Sequence, residues 1–417
     1  MLHSESAAEQ PIIEELELEI LAAPRVEDVR LINSCDDLAT GVRDLLLGSG
    51  AIAIDAERAS GFKYSQRAYL VQMYRTGGPI LLIDPIAVVQ EDPNAFAEVQ
   101  SQLEHLEWII HAATQDISCL AEIGLRPKYL FDTELAGRLA GFERVGLGAM
   151  VARCLGFQLA KEHSAVDWST RPLIASWLNY AALDVDILPQ LREVLLLELE
   201  GQGKLDWARQ DFQSLTQFVS KPPKPEKWRG TSSLSSLKDQ RQLAIARSLW
   251  LARERLAQKL DVSPTRLLPD ASIVEAASSK VRSRAELNAN RKFAGRASRS
   301  YLDYWWEAYE SGLSTSDLPP IRASATGIPN HRSWPSKYPE ADGRLSGLRA
   351  VLTQLSQEYR IPAENLLSPD WVRTICWENP EPTAELISIR LTELGARQWQ
   401  VDLASPALAL SLAAQQP

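Results

Sequence analysis

The chain lacks an apolar run of about 18 residues, and no basic-then-apolar segment stands near Met1. Both absences argue against membrane insertion or secretion, so a cytoplasmic protein with no membrane partner is expected. Cysteine is scarce and dispersed: Cys35, Cys119, Cys154 and Cys376 form no C-x-x-C pair. That excludes a zinc cluster and a disulfide framework, and leaves four small buried hydrophobes. The apolar fraction of 45% and the charged fraction of 24% are those of an ordinary globular protein.

At 417 residues the chain is longer than one core usually serves, so two or three domains are expected. Residues 1–28 are strongly acidic and read as a solvated leader without a role of their own. From 29 to 218, strand and helix patterns alternate, with strands concentrated early. A helix is expected over 36–48, capped by Ser34 or Asp36, then a meander of three antiparallel strands turning at Gly77-Gly78. Later come a helix over 94–106, a buried strand ending at His111, a short strand at 129–132 and one long helix from about Ile174 to Leu199. Such an order describes an α/β domain with a mixed sheet.

Two breaks follow. Residues 219–236 are Pro-rich, basic and then Ser-rich, and 314–343 carry five prolines, so both read as linkers. They delimit two small all-α domains, 237–313 and 344–414. Leu256, Val262 and Leu267-Leu268 recur as Leu355, Ile361 and Leu366-Leu367 at a constant offset of 99 residues, which points to a duplication.

The chemistry concentrates in the first domain. Gly50-Ala-Ile-Ala-Ile-Asp55-Ala-Glu57 is a buried strand that ends in two carboxylates. Side chains two apart on a strand share a face, so Asp55 and Glu57 point together. Asp116 stands at a strand-to-helix edge, where an N-cap is the common alternative. Tyr180 and Asp184 are one helical turn apart and therefore stacked on one face. Four carboxylates converging alone would repel strongly, whereas hard oxygen donors suit Mg²⁺ or Mn²⁺ rather than zinc. Two such ions would clamp the attacking and leaving oxygens of a displacement at phosphorus, which makes phosphodiester hydrolysis the natural reaction.

Asp55-Ala-Glu57, His111-Ala-Ala-Thr-Gln-Asp116, Phe131-Asp-Thr133, Asp167-Trp-Ser-Thr-Arg-Pro-Leu173 and Tyr180-Ala-Ala-Leu-Asp-Val185 together resemble the ribonuclease D group of DEDD-type 3′-to-5′ exonucleases, in the subclass with a Tyr before the last Asp. The later helical segments look like HRDC domains. The resemblance implies an RNase H-like fold with Asp55, Glu57, Asp116 and Asp184 as ligands of two divalent ions, and Tyr180 orienting or helping to deprotonate the attacking water. It also implies release of 5′-mononucleotides from single-stranded 3′ ends of structured RNA such as tRNA precursors. Many relatives place an aromatic residue directly after the first motif, where this chain has Arg58. Asp132 and Asp167 read as structural, His111 as a core histidine, and Trp168 with Arg171 as an anchor for the last helix.

The overall net charge of −10 hides an uneven distribution: residues 221–312 hold eighteen Lys or Arg against ten Asp or Glu. Lys280, Arg282, Arg284, Arg291, Lys292, Arg296 and Arg299 form the densest part, followed by Tyr301, Tyr304, Trp305, Trp306 and Tyr309. This pattern reads either as a phosphate-binding surface or as a basic helix above an aromatic core. A DNA exonuclease and a catalytically silent RNA-binding scaffold are the competing functional readings.

Overall fold

The computed structural model describes residues 18–160, 166–220, 222, 225–293, 295–322 and 327–415. Its first half is built on strands β1 (Glu19–Leu21), β2 (Val29–Ile32), β3 (Ser49–Arg58), β4 (Ala68–Thr76), β5 (Ile80–Ile83), β6 (Glu107–Ile110), β7 (Tyr129–Asp132) and β8 (Phe157–Leu159). Between them run α1 (Cys35–Leu46), α2 (Pro85–Glu91), α3 (Ala95–Leu103), α4 (Ile117–Glu122), α5 (Thr133–Leu139) and α6 (Leu147–Leu155). Three helices close this half: α7 (Ala175–Asp186), α8 (Leu188–Gly201) and α9 (Leu205–Thr216).

Six strands form one mixed sheet in the order β2-β5-β4-β3-β6-β7. As expected, β3, β4 and β5 are joined antiparallel, whereas β2 lies parallel to β5, and β6 and β7 continue parallel from β3. Helices cover both faces, which is why β4 reads as an almost unbroken apolar run. Register assigns the faces. Asp55, Gln72 and Leu82 are consecutive partners across β3, β4 and β5 and point to one side. Leu81 points to the other, where it meets Gly41 of α1.

Ser34 caps α1 by accepting from the Asp37 amide. Asp84 caps the unexpected helix α2 with Pro85 at its first position, a start signal hidden in the sequence behind the end of β5. The helix expected over 174–199 is two helices. It breaks at Ile187, because Pro189 cannot donate into a continuing ladder but fits the first turn of α8. The acidic leader also needs correction within its described part. Glu19–Leu21 pairs in parallel with β8, Leu21 packs beside Val151, Leu183 and Ile187, and Arg25 donates to Asp186. Residues 1–17 lie outside the described residues.

The second half is helical: α10 (Gln240–Leu260), α11 (Pro264–Leu267), α12 (Asp270–Ser278), α13 (Arg284–Ala289), α14 (Arg296–Ser300) and α15 (Leu302–Ser314), then α16 (Trp334–Lys337), α17 (Pro339–Tyr359), α18 (Ala363–Leu366), α19 (Pro369–Glu378), α20 (Ala384–Glu393) and α21 (Gln398–Ala413). The 99-residue offset holds element by element, since α10, α11 and α12 map onto α17, α18 and α19. Even the left-handed corners correspond, at Asp261 and Arg360.

Both expected linkers are shorter than read. Trp228 and Leu234 are buried in the core of the first helical unit, so that unit begins before Leu237. Trp334 is fully buried and α17 begins at Pro339, so the second begins before 344. Large apolar side chains inside Pro- and Ser-rich composition are the reason: burying one indole outweighs the local turn chemistry.

The second helical unit shares a continuous core with the exonuclease-like half. Trp207 stacks on Trp399 at 5.0 Å, Lys204 donates to the carbonyls of Leu139 and Tyr359, and Gly141 approaches so closely that a Cβ would meet the Arg360 carbonyl at 2.6 Å. Arg397 pairs with Asp211, whose carboxyl is buried at 2% exposure and pushed up by burial against the pull of Arg397. Removing one member of such a pair leaves a stranded charge. Arg397→Ala is therefore expected to cost about 3 kcal/mol, measured as a lowered unfolding midpoint in calorimetry. An unchanged midpoint would show that the docking does not depend on this pair.

Candidate active site

The four candidate carboxylates are delivered by three pieces of local structure. β3 runs through the middle of the sheet, with Asp55 opposite Gln72 and Glu57 opposite Leu70. Directly after Glu57 the register shifts, so that Arg58 pairs with Ala68. Such an irregularity bends the strand and re-aims the next side chain. Arg58 consequently lines the same cavity as the two acids.

Asp116 depends on a buried carboxylate beneath it. β6 ends at Ile110, and Ala112 turns into the left-handed region at φ 59°. The amides of Ala112 and Ala113 donate to Asp132 at 3.2 and 2.8 Å, and the Leu135 amide at 3.0 Å makes Asp132 the cap of α5 as well. Asp132 is therefore structural, as read from the sequence, although burial pushes its carboxyl up to about 6. A single 3-10 turn over Ala113–Gln115 then brings Asp116 to the cavity.

Tyr180 and Asp184 come from α7, which lies across β3, β4 and β5. The segment before α7 is held by Trp168, packed edge-to-face on Trp177 at 5.7 Å, and by Arg171. The Arg171 guanidinium donates to both oxygens of Asp84 and to the carbonyls of Tyr69 and Trp168. Asp167 accepts from the Ser169 amide and hydroxyl, which keeps it out of the cavity as expected.

All five residues proposed from the sequence line one cavity of about 510 Å³. Asp55, Glu57 and Asp184 each offer an oxygen within 4.8 Å of the others, and they are the carboxylates that group this closely among the described residues. Asp116 lines the same cavity at 5% exposure, outside that closest group.

The electrostatics are those of a buried acid cluster that a single neighbouring cation, Arg58, only partly offsets. Burial raises the carboxyls of Asp55, Glu57, Asp116 and Asp184, and their mutual repulsion raises Glu57, Asp116 and Asp184 further. Arg58 pulls Asp55, Glu57 and Asp116 the other way without overcoming burial. The Tyr180 phenol is also pushed up, by burial and by the neighbouring carboxylates, so it keeps its proton and favours the charged form of Asp184 by donating to it. This donor set fits a divalent cation: all hard oxygens, one face from a strand and the other from a helix, with raised proton affinity that a cation would replace.

Two features escaped the sequence reading. His111 is not simply a core histidine. It lines the cavity, holds Thr133 at 2.9 Å through Nδ1, and is pushed down to about 4 by burial, so it stays neutral. Ser60, Gly61 and Phe62 form another wall, in a short loop whose local signal is its two aromatics, Phe62 and Tyr64. Conversely, Trp305 and Tyr309 are buried core, and Tyr304 donates to the Ala252 carbonyl, so the aromatic cluster resolves towards packing. The basic side chains before it are exposed.

Comparison with known proteins agrees with this geometry. Residues 29–200 match the family model described as 3′-5′ exonuclease, and 242–309 match the HRDC domain. Residues 327–412 match a different model, the 3′ to 5′ exonuclease C-terminal domain, so the second helical unit is not matched as an HRDC domain despite the repeat. Ribonuclease D of Gluconacetobacter diazotrophicus is 32% identical over 377 residues, spanning 86% of this chain and 89% of that relative. The chain belongs to the ribonuclease D family. A crystal structure of a protein from Bifidobacterium adolescentis superposes with a TM-score of 0.86 at 34% identity, over 95% of this chain and all of that one. RNase D of Escherichia coli, an exoribonuclease involved in structured RNA processing, shares the fold at a TM-score of 0.63 and 22% identity, over 93% and 99% of the two chains. The ribonuclease D fold thus places a mixed-sheet exonuclease domain ahead of the helical region. Use of divalent metal accompanies that fold, and no helix among the described residues is long and apolar enough to cross a membrane.

Proposed function

We propose that this 3′-5′ exoribonuclease removes 5′-mononucleotides from the single-stranded 3′ ends of structured RNA such as tRNA precursors, with Asp55, Glu57, Asp116 and Asp184 holding two divalent ions, Mg²⁺ or Mn²⁺. The observation that carries this reading is the convergence of four buried carboxylates and one phenol on a single cavity. Divalent ions bound there would supply an activated water and neutralise charge developing on the phosphoryl oxygens. The chain's own residues do the rest. Tyr180, protonated and donating to Asp184, presents its phenol oxygen as an acceptor that orients the attacking water. Neutral His111 is a second polar group on the wall, and Arg58 offers a fixed cation to the phosphate entering an acidic site.

The exposed basic side chains of the first helical unit supply the sequence-independent part of binding. Their contribution falls steeply as salt rises. Nothing in two-ion hydrolysis itself detects the 2′-hydroxyl, so preference for RNA over DNA must come from contacts to the sugar.

The test uses 5′-labelled RNA and DNA of matched sequence with wild type and Tyr180→Phe, in Mg²⁺ and in Mn²⁺. Stepwise shortening of RNA from the 3′ end is expected, with kcat about 100-fold lower in the variant and KM little altered. Faster degradation of DNA would overturn the ribonuclease reading. Binding without cleavage under either ion would leave an RNA-binding scaffold.

A further inference from the structure

The loop of residues 59–67, between Arg58 and β4, contributes Ser60, Gly61 and Phe62 to the catalytic cavity. It has no strand partner, so its backbone groups need partners from elsewhere. They find them in the corner between α10 and α11 of the first helical unit, two hundred residues away in sequence. The Ser263 amide donates to the Phe62 carbonyl at 2.9 Å, and Arg266 Nε donates to the Gly61 carbonyl at 2.7 Å. Asp261 accepts from the Ser65 amide at 2.9 Å and from the Tyr69 hydroxyl at 3.3 Å. Its left-handed backbone, φ 47°, turns the chain there. Finally, the Arg266 guanidinium lies over the Phe62 ring at 4.0 Å.

The corresponding corner of the second helical unit, at Arg360, docks on Gly141 instead, away from the cavity. Both repeats therefore use the same corner to meet the exonuclease domain. Among the described residues, it is the first repeat whose corner reaches the catalytic wall.

From this geometry we infer that Asp261, Ser263 and Arg266 are positioning residues of the exonuclease site. They hold Phe62 as an aromatic wall for the 3′-terminal nucleotides, and Arg266 presents its two terminal nitrogens to a phosphate of the same strand. Those nitrogens have no protein partner among the described residues, and the side chain is exposed. A planar guanidinium suits both tasks, since it stacks on the ring through its face and binds phosphate through its edge. The helical unit thereby does more than attract RNA by charge: it completes a subsite. This inference rests on the exoribonuclease reading for the identity of the ligand.

The experiment titrates a short RNA carrying 2-aminopurine at its 3′ end, with Ca²⁺ in place of Mg²⁺ to slow cleavage and the RNA checked intact afterwards. Wild type is expected to quench the fluorophore by stacking. Phe62→Ala should lose the quenching, and Arg266→Ala should lose it together with about tenfold in affinity. Arg266→Lys, which keeps the charge but not the planar fork, should restore affinity more than quenching. Asp261→Asn loosens the same loop from its other end and should also weaken quenching, which keeps the inference testable if Arg266→Ala folds poorly. In steady state with Mg²⁺, the loss in Arg266→Ala should fall mainly on KM. Wild-type quenching and KM in Arg266→Ala would overturn the inference. A wild type that binds and quenches but never cuts would support it while overturning the hydrolytic reading.

Discussion

Asp55→Asn is expected to release mononucleotides from RNA at least about 1,000-fold more slowly than the wild type, with RNA binding largely kept. Asp55 sits where the sheet and α7 meet, and it is the one carboxylate that raises Glu57, Asp116 and Asp184 alike. Converting it to an amide removes a formal charge and one hard donor while keeping the shape. Both changes weaken divalent binding, and neither disturbs the apolar contacts of Ile54 and Ala56, which lie on the opposite face of β3. The measurement is the initial rate of 5′-mononucleotide release at saturating Mg²⁺, with affinity for RNA read separately by anisotropy. A variant within tenfold of wild type would remove Asp55 from the ion-binding set, and with it the assignment of the other three.

The grouping of the candidate site residues on one cavity was legible in the sequence for a physical reason. Two of its pieces are periodic: Asp55 and Glu57 follow the two-residue repeat of a strand, and Tyr180 and Asp184 the turn of a helix. Those periodicities survive folding because each element is internally regular. The mixed sheet was legible for the same reason, from apolar runs separated by Gly77-Gly78 and by capped helices. What escaped has no local period. His111 and Phe62 reach the cavity because of how β6 turns at Ala112 and how a helical corner grips a loop, and both depend on partners far along the chain. The boundaries of the linkers failed similarly. Trp228 and Trp334 lie in segments whose composition signals a linker, yet each indole finds a hydrophobic cluster that no local window contains. The short strand at Glu19–Leu21 is invisible for the same reason, since its partner is β8.

The two helical units diverged along a line that the fold makes intelligible. The second, sharing a core with the exonuclease domain, has its surface occupied by Trp399, Arg397 and the carbonyl of Tyr359. The first keeps a separate core and its own basic exterior, and touches the catalytic half chiefly through the loop that walls the cavity. On the proposed reading, packing and substrate contact are divided between the two helical units. That division agrees with their matching two different family models.

Divalent metal is expected to stabilise the protein strongly at pH 8 and weakly at pH 5. A carboxyl whose pKa in the fold lies above its unfolded value binds its proton more tightly when folded. Its favourable contribution is therefore complete at low pH and is lost as pH rises through the folded value. Asp55, Glu57, Asp116 and Asp184 are all raised in this way, so without metal the site strains the fold increasingly as it ionises. A bound cation removes that strain because it binds the ionised form. At a concentration of about one hundred times Kd, ligand binding alone contributes about 2.7 kcal/mol, or roughly 5–10 °C in a domain of this size. His111 contributes the opposite slope, since burial lowers it to about 4 and stability tied to its neutral form fades as pH falls below the usual histidine value. Asp132, raised to about 6, adds to the carboxylate slope, with its oxygens engaged by backbone amides. The discriminating quantity is therefore the difference between Mg²⁺ or Mn²⁺ and chelator at each pH, in which His111 and Asp132 cancel. In chelator at pH 8, Asp55→Asn should unfold at a higher temperature than the wild type, and metal should raise its midpoint far less. A wild-type midpoint indifferent to both ions at pH 8 would mean that the four carboxylates do not form a divalent site, whatever their proximity.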